Sequence, residues 1–364
     1  MRLAFDIITH NDNMIINVIK VLFPSALAFF IGLLITPILT KYFYKYKMWK
    51  KSSRSMSQTS ADFVKIHNEK GELNTPRVGG IIIWLSVFLT IFVIYLVSVF
   101  FPSQLTGKMS FLSRGQTIVP LFALLAASLL GLVDDFFQII GKGGYAGDAI
   151  AYRKIKIAAV VIIGALIGSW FFYKLGVSSI SIPFLGAIDI GFLFIPFFII
   201  VMLSVFSSSV VDGIDGLAGG LMAEVFAAYA TIAFFHNQID LAAFCAVLAG
   251  GILAFLWFNV PPARFYMGET GILGLTITLS VVAFLTDSVV VLPIIAFPLV
   301  ITSFSVIAQM FSKKFRNGKK ILIVAPIHHH FEAKGWSRSK ITMRYWIIGV
   351  VFAVLGIILA LVGR

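Results

Sequence analysis

The chain has 364 residues, of which 59% are hydrophobic and 12% charged, and a formal net charge of +13. Ordinary soluble domains carry about 25% charged residues, and the mean hydropathy of +0.98 belongs to a chain dominated by long apolar runs. A soluble enzyme and a disordered chain are excluded, and with no separate basic domain or aromatic-interleaved basic module, nucleic acid is not an expected partner.

Ten stretches are long and apolar enough to cross a hydrocarbon core of ~30 Å as helices. They predict spans at 15–40, 79–101, 117–133, 155–173, 188–206, 217–235, 238–258, 270–286, 289–311 and 342–362. The first is not a cleavable signal, because Asp6 and Asp12 precede it and its apolar core is too long. Barrel strands would run about 10 residues with alternating polarity. The expected fold is therefore all-α: a polytopic integral membrane protein, one transmembrane domain over 1–364, with its functional loops at 41–78, 134–156, 207–216, 259–271 and 312–344. Cys245 lies inside a span and reads as a packed apolar residue.

Charge orients the chain. Segments 41–78, 134–156, 259–269 and 312–344 hold nine, four, one and nine Lys and Arg residues, 23 of the 29. Positive loops stay cytoplasmic, so with ten spans both termini are expected on the periplasmic or extracellular side. The positive charge on these loops suits anionic lipid and anionic substrate.

Five of the sixteen acidic residues fall at the cytoplasmic ends of separate spans: Asp134, Asp135, Asp212, Asp215 and Glu269. Carboxylates beside apolar spans are costly and tend to be functional. The plainer alternative is that each caps a helix or pairs with a loop lysine. Gly-Leu-Val-Asp134-Asp135 closes the third span, and adjacent carboxylates repel unless a cation or a proton is shared between them. In Asp212-Gly-Ile-Asp215-Gly the carboxylates are three apart, on one face if the segment is helical, and the glycines let the backbone approach a ligand. Asn259-Val-Pro-Pro-Ala-Arg-Phe-Tyr266-Met-Gly-Glu269-Thr-Gly offers an amide, an aromatic face and another acid. His328-His329-His330 is internal to the chain, and three adjacent side chains make a poor zinc site, so contact with phosphate or sugar is the better reading.

Together these motifs make the chain resemble, over nearly its whole length, the polyprenyl-phosphate N-acetylhexosamine-1-phosphate transferase superfamily. Thr75-Pro-Arg-Val-Gly-Gly, Asp134-Asp135, the Asp212 segment and Asn259 through Gly271 stand in the family's order. The histidine run with Phe331-Glu332-Ala-Lys-Gly-Trp336 is similar to its muramoyl-pentapeptide branch. The resemblance implies ten helices, a homodimer, a bacterial inner-membrane location and Mg²⁺ dependence. It implies transfer of a sugar phosphate from UDP-N-acetylmuramoyl-pentapeptide to undecaprenyl phosphate in peptidoglycan synthesis. By position, Asp134, Asp135, Asp212, Asp215, Glu269 and His329 would be catalytic, with Asp135 and Glu269 as metal ligands. Lys70, Thr75, Lys154, Asn259, Tyr266, His328 and His330 would bind substrate. The chain departs from the pattern at Glu269, where the family generally has Asp, at Phe206 and Ser209, where it has asparagines, and at Ile272, where it has Ser. Rival expectations are an N-acetylglucosamine-1-phosphate transferase for surface polysaccharide, an inactive scaffold, and a transporter, for which Glu224 and Asp287 are the ionisable candidates.

Overall fold

A computed structural model describes residues 2–49, 74–113, 115–141 and 149–364, with side chains left out of account at 2–12, 104–105 and 149–153. The helices are α1 (Arg2–Lys45), α2 (Gly80–Phe100), the short α3 (Gln104–Met109), α4 (Ile118–Ile140), α5 (Ala149–Leu175), α6 (Phe194–Ser207), α7 (Leu217–Phe235), α8 (Ile239–Asn259), α9 (Gly268–Leu285), α10 (Leu292–Ile295), α11 (Phe297–Phe315), α12 (Ile327–Ala333) and α13 (Arg338–Val362). Among the described residues nine helices have the length and apolarity to cross a membrane. The chain is a multi-pass helical membrane protein.

Two expectations are corrected. The fold is not purely helical: β1 (Ser179–Ile182) and β2 (Gly186–Asp189) form an antiparallel hairpin between α5 and α6, with Ser179 opposite Asp189. The alternation in Ser-Ile-Ser-Ile and the positive φ of Gly186 at the turn favour it. The span expected at 289–311 is not one helix. It breaks at Ala296 between α10 and α11, and prolines stand at the start of both pieces, where a missing N–H costs least.

Burial sorts the helices into layers. The spans of α7, α8 and α9 are 78%, 83% and 89% buried, whereas that of α1 is 22% buried. These three carry apolar and small residues around their whole circumference, as a helix enclosed by others must. Around them α1 packs on α8, α4 on α9, and α13 on α7, while α5 pairs with α6. Small residues set the closest approaches, as is usual in lipid, where backbones pack without a hydrophobic drive. A Cβ on Gly80 would overlap the backbone of Gly271, and one on Gly131 would overlap the carbonyl of Glu269. Those contacts bring α2, α4 and α9 together at one end of the bundle, where the acidic motifs lie.

Candidate active site

The site is built on the first turn of α9. A helix start leaves N–H groups without intrahelical partners and carries partial positive charge. Here two carboxylates from distant elements take them up. Glu269 N donates to Asp135 Oδ1 at 3.1 Å, and Thr270 N and Thr270 Oγ1 each donate to Asp135 Oδ2 at 2.8 Å. Gly268 N–H serves Asp212. Gly268 has φ +68°, and a side chain there would run into the Arg77 carbonyl and the Asp135 carboxylate. Burial lifts the Asp212 carboxyl to about 6; Arg77 opposes the rise, while Glu269 and Asp215 add to it. Asp135, expected among the metal ligands, is fully buried with both oxygens on this helix end.

Asp134 faces another way. Its side chain is 4% exposed, accepts from Gln138 Nε2 at 3.1 Å, and pairs with Lys156. The same Lys156 Nζ lies 2.9 Å from Glu269 Oε1. Two carboxylates from α4 and α9 thus converge on one ammonium from α5. Lys154, the basic residue expected at this place, is exposed, and Lys156 stands where it was expected. The helical period carried the signal, because Lys156 is four residues before buried Val160 and shares its face. Among the described residues no group of three or more His, Cys, Asp or Glu side chains is arranged to hold a metal alone. Mg²⁺ asks for less, since one or two carboxylates with substrate phosphates and water suffice. Asp134 and Glu269, already facing one cation, fit that donor set; Asp135 does not, because helix-end donors occupy it.

The remaining motifs form the walls. Residues 76–80 run beside 266–267, with Tyr266 N donating to the Pro76 carbonyl at 2.8 Å and Gly79 N to the Tyr266 carbonyl at 2.9 Å. This fixes the half-buried Tyr266 and Thr75 at the site's edge. Asn259, expected to bind substrate, is 6% exposed and uses its amide on the backbone. Its Oδ1 accepts from Gly216 N at 3.0 Å, and its Nδ2 donates to the Phe265 carbonyl at 2.8 Å. Asn259 therefore clasps the Asp212 segment to the loop carrying Tyr266. Asp215 closes the same join by accepting from Ala263 N at 3.1 Å. The Asp212 segment is a turn after a 3₁₀ stretch at Ser208–Val211 rather than a helix, with φ +76° at Gly216. Phe206 packs against the hydrophobic core. Lys70 lies outside the described residues.

The histidines do three different things. His329 Nδ1 bonds Glu332 Oε2 at 2.9 Å, and Arg338 Nε donates to Glu332 Oε1 at 2.6 Å. Burial alone would raise the Glu332 carboxyl, but the bonds from His329 and Arg338 hold it below the usual range. This chain of contacts fixes the ring so that Nε2 points toward the Asp212 segment, where a Cβ on Gly213 would lie 2.9 Å from Nε2 of both His328 and His329. Two adjacent histidines thus converge on one glycine, which the sequence alone did not suggest. His328 is fully buried, and burial, with the neighbouring His329, holds its pKa far below the usual value, so it is neutral. His330 Nδ1 accepts from Ile323 N at 3.1 Å and staples the preceding loop. Glu332 stood in the motif, but its role as the orienting partner emerges only from the geometry. His329→Ala is expected to lower turnover ~10²-fold, the scale of one lost stabilising donor. Glu332→Gln should cost less, because the ring keeps its place while losing a charged partner. A pH–rate profile shifted in Glu332→Gln would show the orienting role, and an unchanged profile would remove it.

The glycosyl transferase family 4 model matches residues 117–287, the stretch from α4 to the turn after α9. A phospho-N-acetylmuramoyl-pentapeptide-transferase of Anoxybacillus flavithermus is 34% identical over 342 residues, covering 93% of this chain and 97% of the relative. Proteins of the same name from a Geobacillus species and Bacillus subtilis are 33% and 32% identical, covering 91% and 93% of this chain and 96% and 97% of their own lengths. The chain belongs to the phospho-N-acetylmuramoyl-pentapeptide-transferase family. For this family of transferases the match runs through every element that carries the site, from the 76–80 strip to the histidine helix α12.

Proposed function

We propose that this protein transfers phospho-N-acetylmuramoyl-pentapeptide from its UDP conjugate to undecaprenyl phosphate, giving lipid I and UMP, at the cytoplasmic face of a bacterial inner membrane. The observation that carries the reading is the convergence of Asp134 and Glu269 on Lys156 beside the capped end of α9. The chemistry must join two anionic partners, and fixed cations with a shared divalent ion are the means of doing so. Asp134 and Glu269 would hold Mg²⁺, which when bound would neutralise the charge developing on the leaving UMP. Lys156 would turn from the carboxylates to the phosphates. Asp134 would accept the proton of the acceptor phosphate, whose oxygen forms the new bond to the β-phosphorus as the bond to the UMP oxygen breaks. His329 Nε2, steadied by Glu332 and Arg338, would donate to the donor substrate, and Tyr266 would present its ring to the uracil. The histidine helix favours the muramoyl substrate over UDP-N-acetylglucosamine. In the assay, purified protein should release UMP from UDP-N-acetylmuramoyl-pentapeptide only with both undecaprenyl phosphate and Mg²⁺. Release from UDP-N-acetylglucosamine instead would overturn the substrate, and activity undiminished by chelator would overturn the metal.

The reading includes ten crossings, both termini outside, and a homodimer. The orientation is supported by the 23 of 29 basic residues on the motif-bearing side. Cysteines introduced at exposed Asn74, Arg264 and Lys334 in a Cys245→Ala background should resist an impermeant thiol reagent applied outside intact cells. Leu185→Cys, on the exposed tip of the hairpin, should react. Outside labelling of two of the first three would reverse the orientation.

A further inference from the structure

We infer that Arg77 is a second fixed cation of the site and binds the α-phosphate of the donor, the phosphate that leaves with UMP. The inference rests on the proposed function and adds to it a residue for the leaving group. Arg77 is half-buried in the strip that runs beside 266–267. The strip is held there by Tyr266 N, which donates to the Pro76 carbonyl at 2.8 Å, and by Arg77 N, which donates to the Met48 carbonyl at 2.9 Å. The Arg77 carbonyl lies against Gly268, so closely that a Cβ on that glycine would overlap it and the Asp135 carboxylate together.

That place decides the ligand. Gly268 stands between Tyr266, which takes the uracil in the proposed function, and Glu269, which takes the metal. Three residues span at most ~10 Å, the scale of a nucleoside with its first phosphates. A UDP moiety laid along this stretch, base on Tyr266 and diphosphate toward Glu269, carries its α-phosphate past Gly268 and Arg77. Lys156 serves the far side, where it pairs with Asp134 and Glu269. Arg77 is the cation whose field acts on both Asp135 and Asp212. Those two acids already accept N–H groups from the start of α9. A planar guanidinium carries five N–H donors in a rigid fork, enough to serve an aspartate and a phosphate at once. The reaction needs a cation at this phosphate. As the bond from the β-phosphorus to the bridging oxygen breaks, its electron pair stays on that oxygen and negative charge grows on UMP. A cation held there beforehand stabilises that charge without reorganising.

Calorimetric titration of the purified protein with UMP and with uridine reads the contact without turnover, because the two differ only in the α-phosphate. In Arg77→Gln the Kd for UMP should rise ~10-fold, the scale of one lost hydrogen bond between charged groups. The Kd for uridine should not change. Arg77→Lys keeps the charge and loses the fork, so its Kd for UMP should fall between the two; it also decides the matter should the Gln form fail to fold. In the full reaction Arg77→Gln should lower kcat ~10²-fold and leave the KM for undecaprenyl phosphate as it is. Equal losses for UMP and uridine would make Arg77 a structural counter-ion of Asp135 and Asp212 and overturn the assignment. Unchanged UMP binding in a folded Arg77→Gln protein overturns it as well. So does a loss seen with UDP but not with UMP, which would put the guanidinium at the β-phosphate. Wild-type protein that binds UMP through Arg77 yet forms no lipid I would strike the proposed function and leave the contact standing.

Discussion

Glu269→Gln is expected to lower turnover at least ~10³-fold while leaving the fold intact. The change keeps size and removes charge, and Glu269 Oε1 meets Lys156 Nζ at 2.9 Å. A single lost electrostatic contact in a preorganised site costs ~10²–10³ in rate. Here the same loss also removes one of the carboxylates that share Lys156, which would tighten its pairing with Asp134 and hold Asp134 away from its proton-accepting role. Glu269→Asp tests the opposite limit. It withdraws the oxygen by ~1.5 Å, one carbon–carbon bond, from a position already close to Lys156. It should therefore raise the Mg²⁺ concentration needed for half-maximal rate rather than lower it. Turnover measured against Mg²⁺ for the three proteins gives the answer. An active Gln form would remove Glu269 from the site. An Asp form better than wild type would mean that the longer acid is a decayed ligand, not an adapted one.

Asp135→Ala should be the most destabilising substitution in the site. It strands Glu269 N, Thr270 N and the Thr270 hydroxyl, all of which lose an acceptor in a buried place. At roughly 1–3 kcal/mol for each buried unsatisfied group, less what relaxation recovers, the expected loss is about 3–5 kcal/mol. Thr270→Val removes one of the three donors and should cost about 1 kcal/mol. Unfolding in detergent, followed together with activity, separates two roles for Asp135. If it positions α9, stability and rate fall together, and Asp135→Asn, which keeps one carbonyl oxygen, recovers part of both. An Asp135→Ala protein as stable as wild type yet inactive would instead put Asp135 in the chemistry.

The membrane character was legible because period and length need no tertiary information. Nine of the expected spans recur as helices of adequate length, and the tenth is divided at Ala296, with a proline opening each of its two pieces. Motif residues were legible as a set, but their jobs were not. Asp134 and Asp135 are neighbours that point into different contacts, one toward Lys156 and one onto α9, and nothing in an Asp-Asp pair says which does which. Asn259 was visible as a polar residue at a helix end, but its two backbone partners lie 43 and 6 residues away. Lys154, expected from the family resemblance, and Lys156 both stand near the start of α5, and it is Lys156 that shares the face of buried Val160. The general alternative weighed against all the acids, that each caps a helix or pairs with a lysine, describes Asp135 and Asp134 as they stand. In this site capping and pairing are how the functional groups are held.

The cap on α9 also constrains how the chain is made. Its partner lies 134 residues earlier, on α4, which leaves the ribosome and enters the bilayer first. Until α9 follows, Asp135 lacks the three donors it meets in the folded chain, whereas Asp134 already has Gln138 of its own helix and Lys156 of α5. Until α4 is docked, the first peptide N–H groups of α9 lack the carboxylate that takes them up in the folded chain. A nascent chain stopped after α8 therefore carries an Asp135 carboxylate without its helix-end donors. The bond that organises the active site thus forms only after the chain from α4 through the start of α9 has been made.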